Sequence, residues 1–99
     1  MSNPIRLLNK AFDSRIRLGI MALLMVNERI DFITLKETLE ITDGNLASHI
    51  SALESCGYLS IQKQFLGRKP NTSYAVTPEG RTAFKEHIDA LESLMRIEN

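Results

Sequence analysis

Ninety-nine residues, 43% apolar and 24% charged, suit one globular domain and exclude a disordered chain. Twelve Lys and Arg balance twelve Asp and Glu, so the chain is no overall polycation. A lone domain of this size buries about two thirds of its unfolded surface, so burial against a second subunit would be useful.

The pattern predicts a first short helix after Asn3-Pro4, with Asn as cap, Pro at the first helical position, and Ile5, Leu8 and Phe12 as its apolar residues. Asp13-Ser14 then caps RIRLGIMALLMVNE, where Ile16, Ile20, Leu23 and Leu24 form a stripe and Met21 and Met25 fill beside it. Such broad apolarity predicts a central helix. The run Leu18 to Val26 is far short of the ~20 residues needed to span a bilayer, and no small-residue cleavage site follows it. A cytoplasmic chain without a membrane partner is expected.

IDFIT, residues 30 to 34, alternates like a minimal strand. Thr34-Leu-Lys-Glu37 has capping-box spacing and predicts a short helix from Leu35 to Leu39. Thr42 caps the next helix, with Asp43 on the positive end of its dipole, and Gly57 stops it. Two helices about three residues apart are a helix-turn-helix, here spanning about 34–56. Cys56, the single cysteine, is expected as a small buried hydrophobe, with no disulfide available.

YLSIQKQF (58 to 65) and SYAVT (73 to 77) alternate as strands around the turn-forming LGRKPNT, giving a hairpin at about 58–77 with a basic tip. Thr77-Pro78-Glu79-Gly80 opens a last helix, about 78–97. In it Phe84, Ile88, Leu91 and Met95 are spaced by four, three and four, a seam that predicts packing on the same helix of a second subunit. A hairpin directly after a helix-turn-helix gives the fold class: α+β, mostly helical, a winged helix-turn-helix with a C-terminal dimerisation helix, spanning 1–99 as one domain.

The residues TDGNLASHISALESCGYL, GRKPNT and TPEGRTAF resemble the winged-helix DNA-binding domains of small MarR/ArsR-like bacterial and archaeal transcriptional regulators. The likeness spans nearly the whole chain and is strongest from Phe32 to Phe84. It implies double-stranded DNA as partner, a homodimer, and wing contacts from Arg68 and Lys69.

The helix 43–56 has the right chemistry for that role. On a helical wheel Leu46, Ile50 and Leu53 mark the buried side, while Gly44, Asn45, Ser48, Ser51, Ala52 and Ser55 point away and His49 sits on a flank. A face of short, uncharged donors and acceptors fits a major groove about 12 Å wide, where Asn pairs with adenine and Ser donates or accepts. Helicity is sacrificed to obtain it, since Gly, Asn and Ser are poor helix formers. The candidate reading residues are therefore Thr42, Gly44, Asn45, Ser48, His49 and Ser51. Lys63, Arg68 and Lys69 on the wing, about 65–72 at its DNA-facing part, and Arg17 are the candidate phosphate or minor-groove contacts.

Charge is unevenly spread: residues 4–29 and 63–81 are each net +3, and 31–54 are net −4. The acidic stretch keeps a second reading open, a winged helix used for protein–protein interaction. No nucleophile–base pair, carboxylate pair or phosphate loop points to an enzyme. His49, His87 and Cys56 lack metal-site spacing, so no cofactor or metal is expected. His87 is expected on the helix surface or the dimer seam, and Arg81 as an ion-pair partner. An effector, if one exists, would sit at the dimer interface or between the central helix and the hairpin.

Overall fold

Side-chain caps fix where the helices begin. In the computed structural model, which describes residues 4–97, two single turns of 3₁₀ helix (Pro4–Leu7 and Lys10–Phe12) precede α1 (Arg15–Met25). There follow β1 (Ile30–Asp31), α2 (Phe32–Leu39), α3 (Asp43–Ser55), β2 (Leu59–Leu66), β3 (Lys69–Val76) and α4 (Pro78–Met95). Ser14 accepts from the Arg17 N–H at 3.3 Å, Thr42 from Asn45 at 3.2 Å and Thr77 from Gly80 at 2.9 Å, as the cap signals predict. Each such cap contributes about 1 kcal/mol.

α2 is capped differently from expectation. Asp31, not Thr34, is its N-cap: the carboxylate accepts from the Thr34 N–H at 2.8 Å. A carboxylate at the positive end of the helix outcompetes a hydroxyl one turn later, so Phe32, Ile33 and Thr34 join the helix. Only Ile30 and Asp31 are left to the strand. The N-terminal region likewise forms 3₁₀ turns instead of a continuous helix, and the proposed Asn3 cap lies outside the described residues.

α3 ends as the glycine predicts. Gly57 adopts φ +81°, the Tyr58 N–H donates to the Leu53 carbonyl at 3.0 Å, and the Gly57 N–H donates to Glu54 at 2.8 Å. This pair of bonds closes the last turn and directs the chain into β2.

The sheet is antiparallel in the order β1-β3-β2. β1 pairs Ile30 with Tyr74 and Asp31 with Ser73, while β2 and β3 pair along their whole length from Leu59↔Val76 to Leu66↔Lys69. The hairpin therefore spans nearly the predicted range, but β3 begins four residues nearer the tip and the turn is tighter than the sequence predicts. Gly67 (φ +67°) and Arg68 alone form the turn, and Pro70 lies in β3 opposite Phe65. Gly67 supplies the positive φ that a two-residue hairpin turn needs. Pro70 is tolerated because β1 reaches only Ser73 and Tyr74, so beyond them β3 has one paired side.

The core joins Ile20, Met21 and Leu24 of α1 to Leu35 of α2, Leu46, Ile50 and Leu53 of α3, Leu59, Tyr74 and Phe84. Phe12, 1% exposed, packs edge-on against Phe84 at 5.3 Å and His87 at 5.2 Å, with Tyr58 at 5.5 Å. Asn9 fastens this cluster. Its N–H donates to His87 Nδ1 and its side-chain amide to the Tyr58 hydroxyl, both at 2.9 Å. His87 is thus buried, not a surface or seam residue, because the N-terminal segment covers it. Phe84 belongs to the same cluster and not to an open seam.

The molecule measures 59 × 25 × 21 Å, with a radius of gyration of 15.2 Å against the ~13 Å usual for 100 residues. Beyond Ile61 on β2 and Asn71 on β3 nearly every hairpin residue is exposed. The hairpin is an arm.

Candidate nucleic-acid interface

α3 buries Leu46, Ile50 and Leu53 and exposes Asp43, Gly44, Asn45, Ala47, Ser48, Ser51, Glu54 and Ser55. The outward face is small and polar, as its pattern predicts. Space around Gly44 is open, with nothing within 4 Å of where a methyl would stand. Thr42 is also exposed, but its hydroxyl already accepts from the backbone and so serves the cap first.

His49 is half-buried and joined to α1. The Arg17 Nε–H donates to its Nδ1 at 3.0 Å, and Arg17 Nη1 reaches the Ala11 carbonyl at 3.5 Å. Since a guanidinium can only donate, Nδ1 must carry the lone pair, and the neutral ring keeps its proton on Nε2. The Nε2 edge of His49 is then a donor, while Arg17 is turned inward and is less free for phosphate than its position suggests. One turn before His49 on the same flank stands Asn45.

Asp43 is not a bare charge. Lys36 of α2 pairs with it at 2.8 Å. Both side chains are substantially exposed, so the pair adds little stability. Its effect is local neutralisation at the N-terminal end of α3.

The arm carries Lys63, Arg68 and Lys69, all exposed. Two contacts brace its base, neither of them legible as a motif. Asn71 donates to Asp31 at 3.2 Å, and Arg29 donates to the Ser73 hydroxyl at 3.0 Å and its carbonyl at 3.3 Å. The Asp31 pKa is lowered, chiefly by the hydrogen bonds from the Thr34 side chain and backbone, against an opposing effect of burial, with a lesser lowering from Asn71. The spacing Asp-x-x-Thr could have announced this cap, but the alternation of IDFIT masked it.

Ile88, Leu91 and Met95 lie on one exposed face of α4, being 40%, 38% and 78% accessible. The first 3₁₀ turn lies against α4 and adds exposed Ile5 and Leu7. Arg81 forms no ion pair among the described residues; its guanidinium donates to the Met25 carbonyl at 3.3 Å and caps the end of α1. Cys56 is exposed, a correction that follows from its position at the C-cap, off the buried stripe. Among the described residues no three His, Cys, Asp or Glu side chains are grouped as a metal site requires, and no helix is long and apolar enough to cross a membrane.

Comparison with known proteins agrees with this geometry. Residues 16–95 match the family model of the winged helix DNA-binding domain. The chain is 42% identical over 79 residues to an uncharacterized protein of Methanocaldococcus jannaschii, covering 80% of this chain and 86% of that one. Among solved structures, a transcriptional regulator homologue from Pyrococcus horikoshii superposes with a TM-score of 0.81 at 29% identity, covering 88% of this chain and 86% of that chain. A MarR-family regulator from Enterococcus faecalis gives 0.69 at 25% identity, with 87% and 74% covered. With its helix-turn-helix, its basic arm and a family match extending from α1 to the end of α4, the chain belongs to the winged-helix DNA-binding domains.

Proposed function

We propose that this chain is a homodimeric transcriptional regulator that reads a pseudo-palindromic duplex. α3 enters the major groove, with Gly44, Asn45, Ser48, His49 and Ser51 at base edges, and Lys63, Arg68 and Lys69 of the arm attract the backbone or the minor groove. One observation carries the reading: between Asp43 and Glu54 the exposed face of α3 holds only Gly44, Asn45, Ala47, Ser48 and Ser51, small and without a cation, while Lys63, Arg68 and Lys69 stand on a separate projecting arm. Sequence reading and electrostatic attraction are thus divided between two elements. The open Ile88, Leu91 and Met95 face of α4 supports pairing with a second copy.

Selection of bound duplexes from a random pool tests the proposal. The expected product is a two-fold motif with half-sites about 34 Å apart, whose preference flattens when Asn45→Ala and Ser48→Ala are combined. If the pool yields no enriched duplex and binding does not weaken with rising salt, the protein-interaction reading replaces this one.

A further inference from the structure

The end of α1, β1 and the start of α2 enclose an open cleft of about 410 Å³. Small-molecule sites commonly hold about 300–1,000 Å³. The lining is mixed in charge: Arg29 and Asp31 both face the cleft, yet among the described residues they form no ion pair with each other. Neutral groups of β3 hold each of them instead. Arg29 donates from Nε to the Ser73 hydroxyl and from Nη2 to its carbonyl, while Asp31 accepts from the Asn71 amide.

Neither charge is saturated by these bonds. A guanidinium has five N–H donors, so the outer edge of Arg29, Nη1 with the second hydrogen of Nη2, stays open as a fork for a carboxylate. A carboxylate has about four acceptor positions, and the bonds from Thr34 and Asn71 leave one on Asp31. Asn27 donates its amide to the Leu23 carbonyl at 2.8 Å, which leaves Oδ1 as a further acceptor. Leu23 and Ile30 are the apolar part of the lining, and Thr38 stands one turn beyond Thr34 on α2.

We propose that this cleft binds a small zwitterion, an α-amino acid, with its carboxylate on the outer edge of Arg29 and its ammonium on Asp31 and Asn27 Oδ1. Charge excludes the simpler ligands. A bare carboxylic acid that reaches Arg29 also meets Asp31, and a bare amine that reaches Asp31 also meets Arg29. Only a molecule carrying both charges satisfies both walls. Leu23 and Ile30 favour an apolar side chain on it. The clefts along α4 offer no such pairing, being lined by Glu79 and Glu86 or by Glu86 and Asp89 without a cation.

Occupancy reaches the arm, because Arg29 and Asp31 are the residues that brace Ser73 and Asn71. A ligand that fixes them fixes the base of the hairpin relative to α2, which Asp31 caps. On the duplex-binding reading, on which this consequence alone rests, amino acid and duplex strengthen each other's binding by the same factor.

Isothermal titration calorimetry of the full chain with L-alanine, L-valine, L-leucine and L-methionine tests the site, each set beside its decarboxylated amine and its deaminated acid. At least one amino acid is expected to bind, and both its counterparts about tenfold more weakly or worse, since each loses a charge-assisted contact. Arg29→Lys keeps the charge without the fork, and Asp31→Asn keeps the shape without the charge. Each is expected to weaken binding about tenfold or more. Thr38→Phe fills the cleft from an exposed position on α2 and should abolish binding with the melting temperature unchanged, so a folding defect in the other two variants does not decide the outcome. Fluorescence anisotropy should show the bound amino acid tightening duplex binding.

The site is overturned, and duplex binding left untouched, if none of the amino acids binds at millimolar concentration, if amine or acid binds as well as the amino acid, or if Thr38→Phe binds as wild type does. An amino acid that binds without moving duplex affinity overturns the coupling to the arm. A chain that binds amino acid but no duplex overturns the regulator reading and leaves the site standing.

Discussion

Gly80→Ala is expected to destabilise the fold even though alanine is the better helix former by about 1 kcal/mol. Gly80 is the third residue of α4, and a methyl there would overlap the Tyr58 carbonyl oxygen and stand 2.9 Å from its Cα. Both are backbone atoms, so no side chain can swing aside. That carbonyl accepts from the Thr77 N–H at 2.9 Å, and the Thr77 hydroxyl donates to Gly57 at 2.6 Å while accepting from Gly80. Separating α4 from Tyr58 weakens these bonds, each worth about 1 kcal/mol, and overpacking adds about 1–3 kcal/mol. After subtracting the gain in helicity, the net cost is about 2–4 kcal/mol, or a fall of roughly 10–25 °C in melting temperature for a domain of this size. Thermal melts by circular dichroism at fixed protein concentration measure it. Gly44→Ala is the control, since its methyl meets nothing and should raise the melting temperature slightly while weakening duplex binding. A Gly80→Ala chain melting at or above wild type would refute the close approach of α4 to Tyr58.

Leu91→Glu with Ile88→Glu should convert the dimer to a monomer in sedimentation; a wild-type chain that already sediments as a monomer at high concentration sinks the seam. In acid, Asp31 links stability to pH. Its folded pKa lies below the ordinary 3.8, so the unfolded chain takes up the proton first and stability drains away as pH falls through and beneath that value. Asp31→Asn should flatten this acid limb in urea titrations, and an unchanged limb counts against the cap. Because Arg17 is engaged with His49, Arg17→Ala should change base preference more than the salt slope. A slope lowered by a full unit would return Arg17 to the phosphate backbone.

Local rules exposed the helix-turn-helix and the basic hairpin because each rests on near neighbours in sequence. Ser14, Thr42, Thr77 and Gly57 act within one turn of the ends they define, and the Leu46, Ile50, Leu53 stripe has one period. What stayed hidden depends on distant partners. The Asn9 backbone meets His87 across 78 positions, so nothing local marked that histidine, or its neighbour Phe84, as buried. Arg17 and His49 meet across 32 positions, so the pattern that offers Arg17 as a phosphate contact carries no sign of its bond to α3. The turn at Gly67-Arg68 is masked for another reason: Pro70 looks like a turn former, and only the half-paired β3 shows why a strand accepts it.

The carboxylate of Asp31 takes part in two structures at once. One oxygen holds the first turn of α2, and the other holds Asn71 where the arm leaves the body. Since α2 leads through residues 40–42 into α3, on the duplex-binding reading the helix and the arm are set from one pivot like the jaws of a caliper, the helix by way of α2. The interval between the base pairs under α3 and the flanking stretch under the arm becomes a constant of the protein, and a binding site with a base pair inserted between them would be measured as wrong even with every contacted base correct.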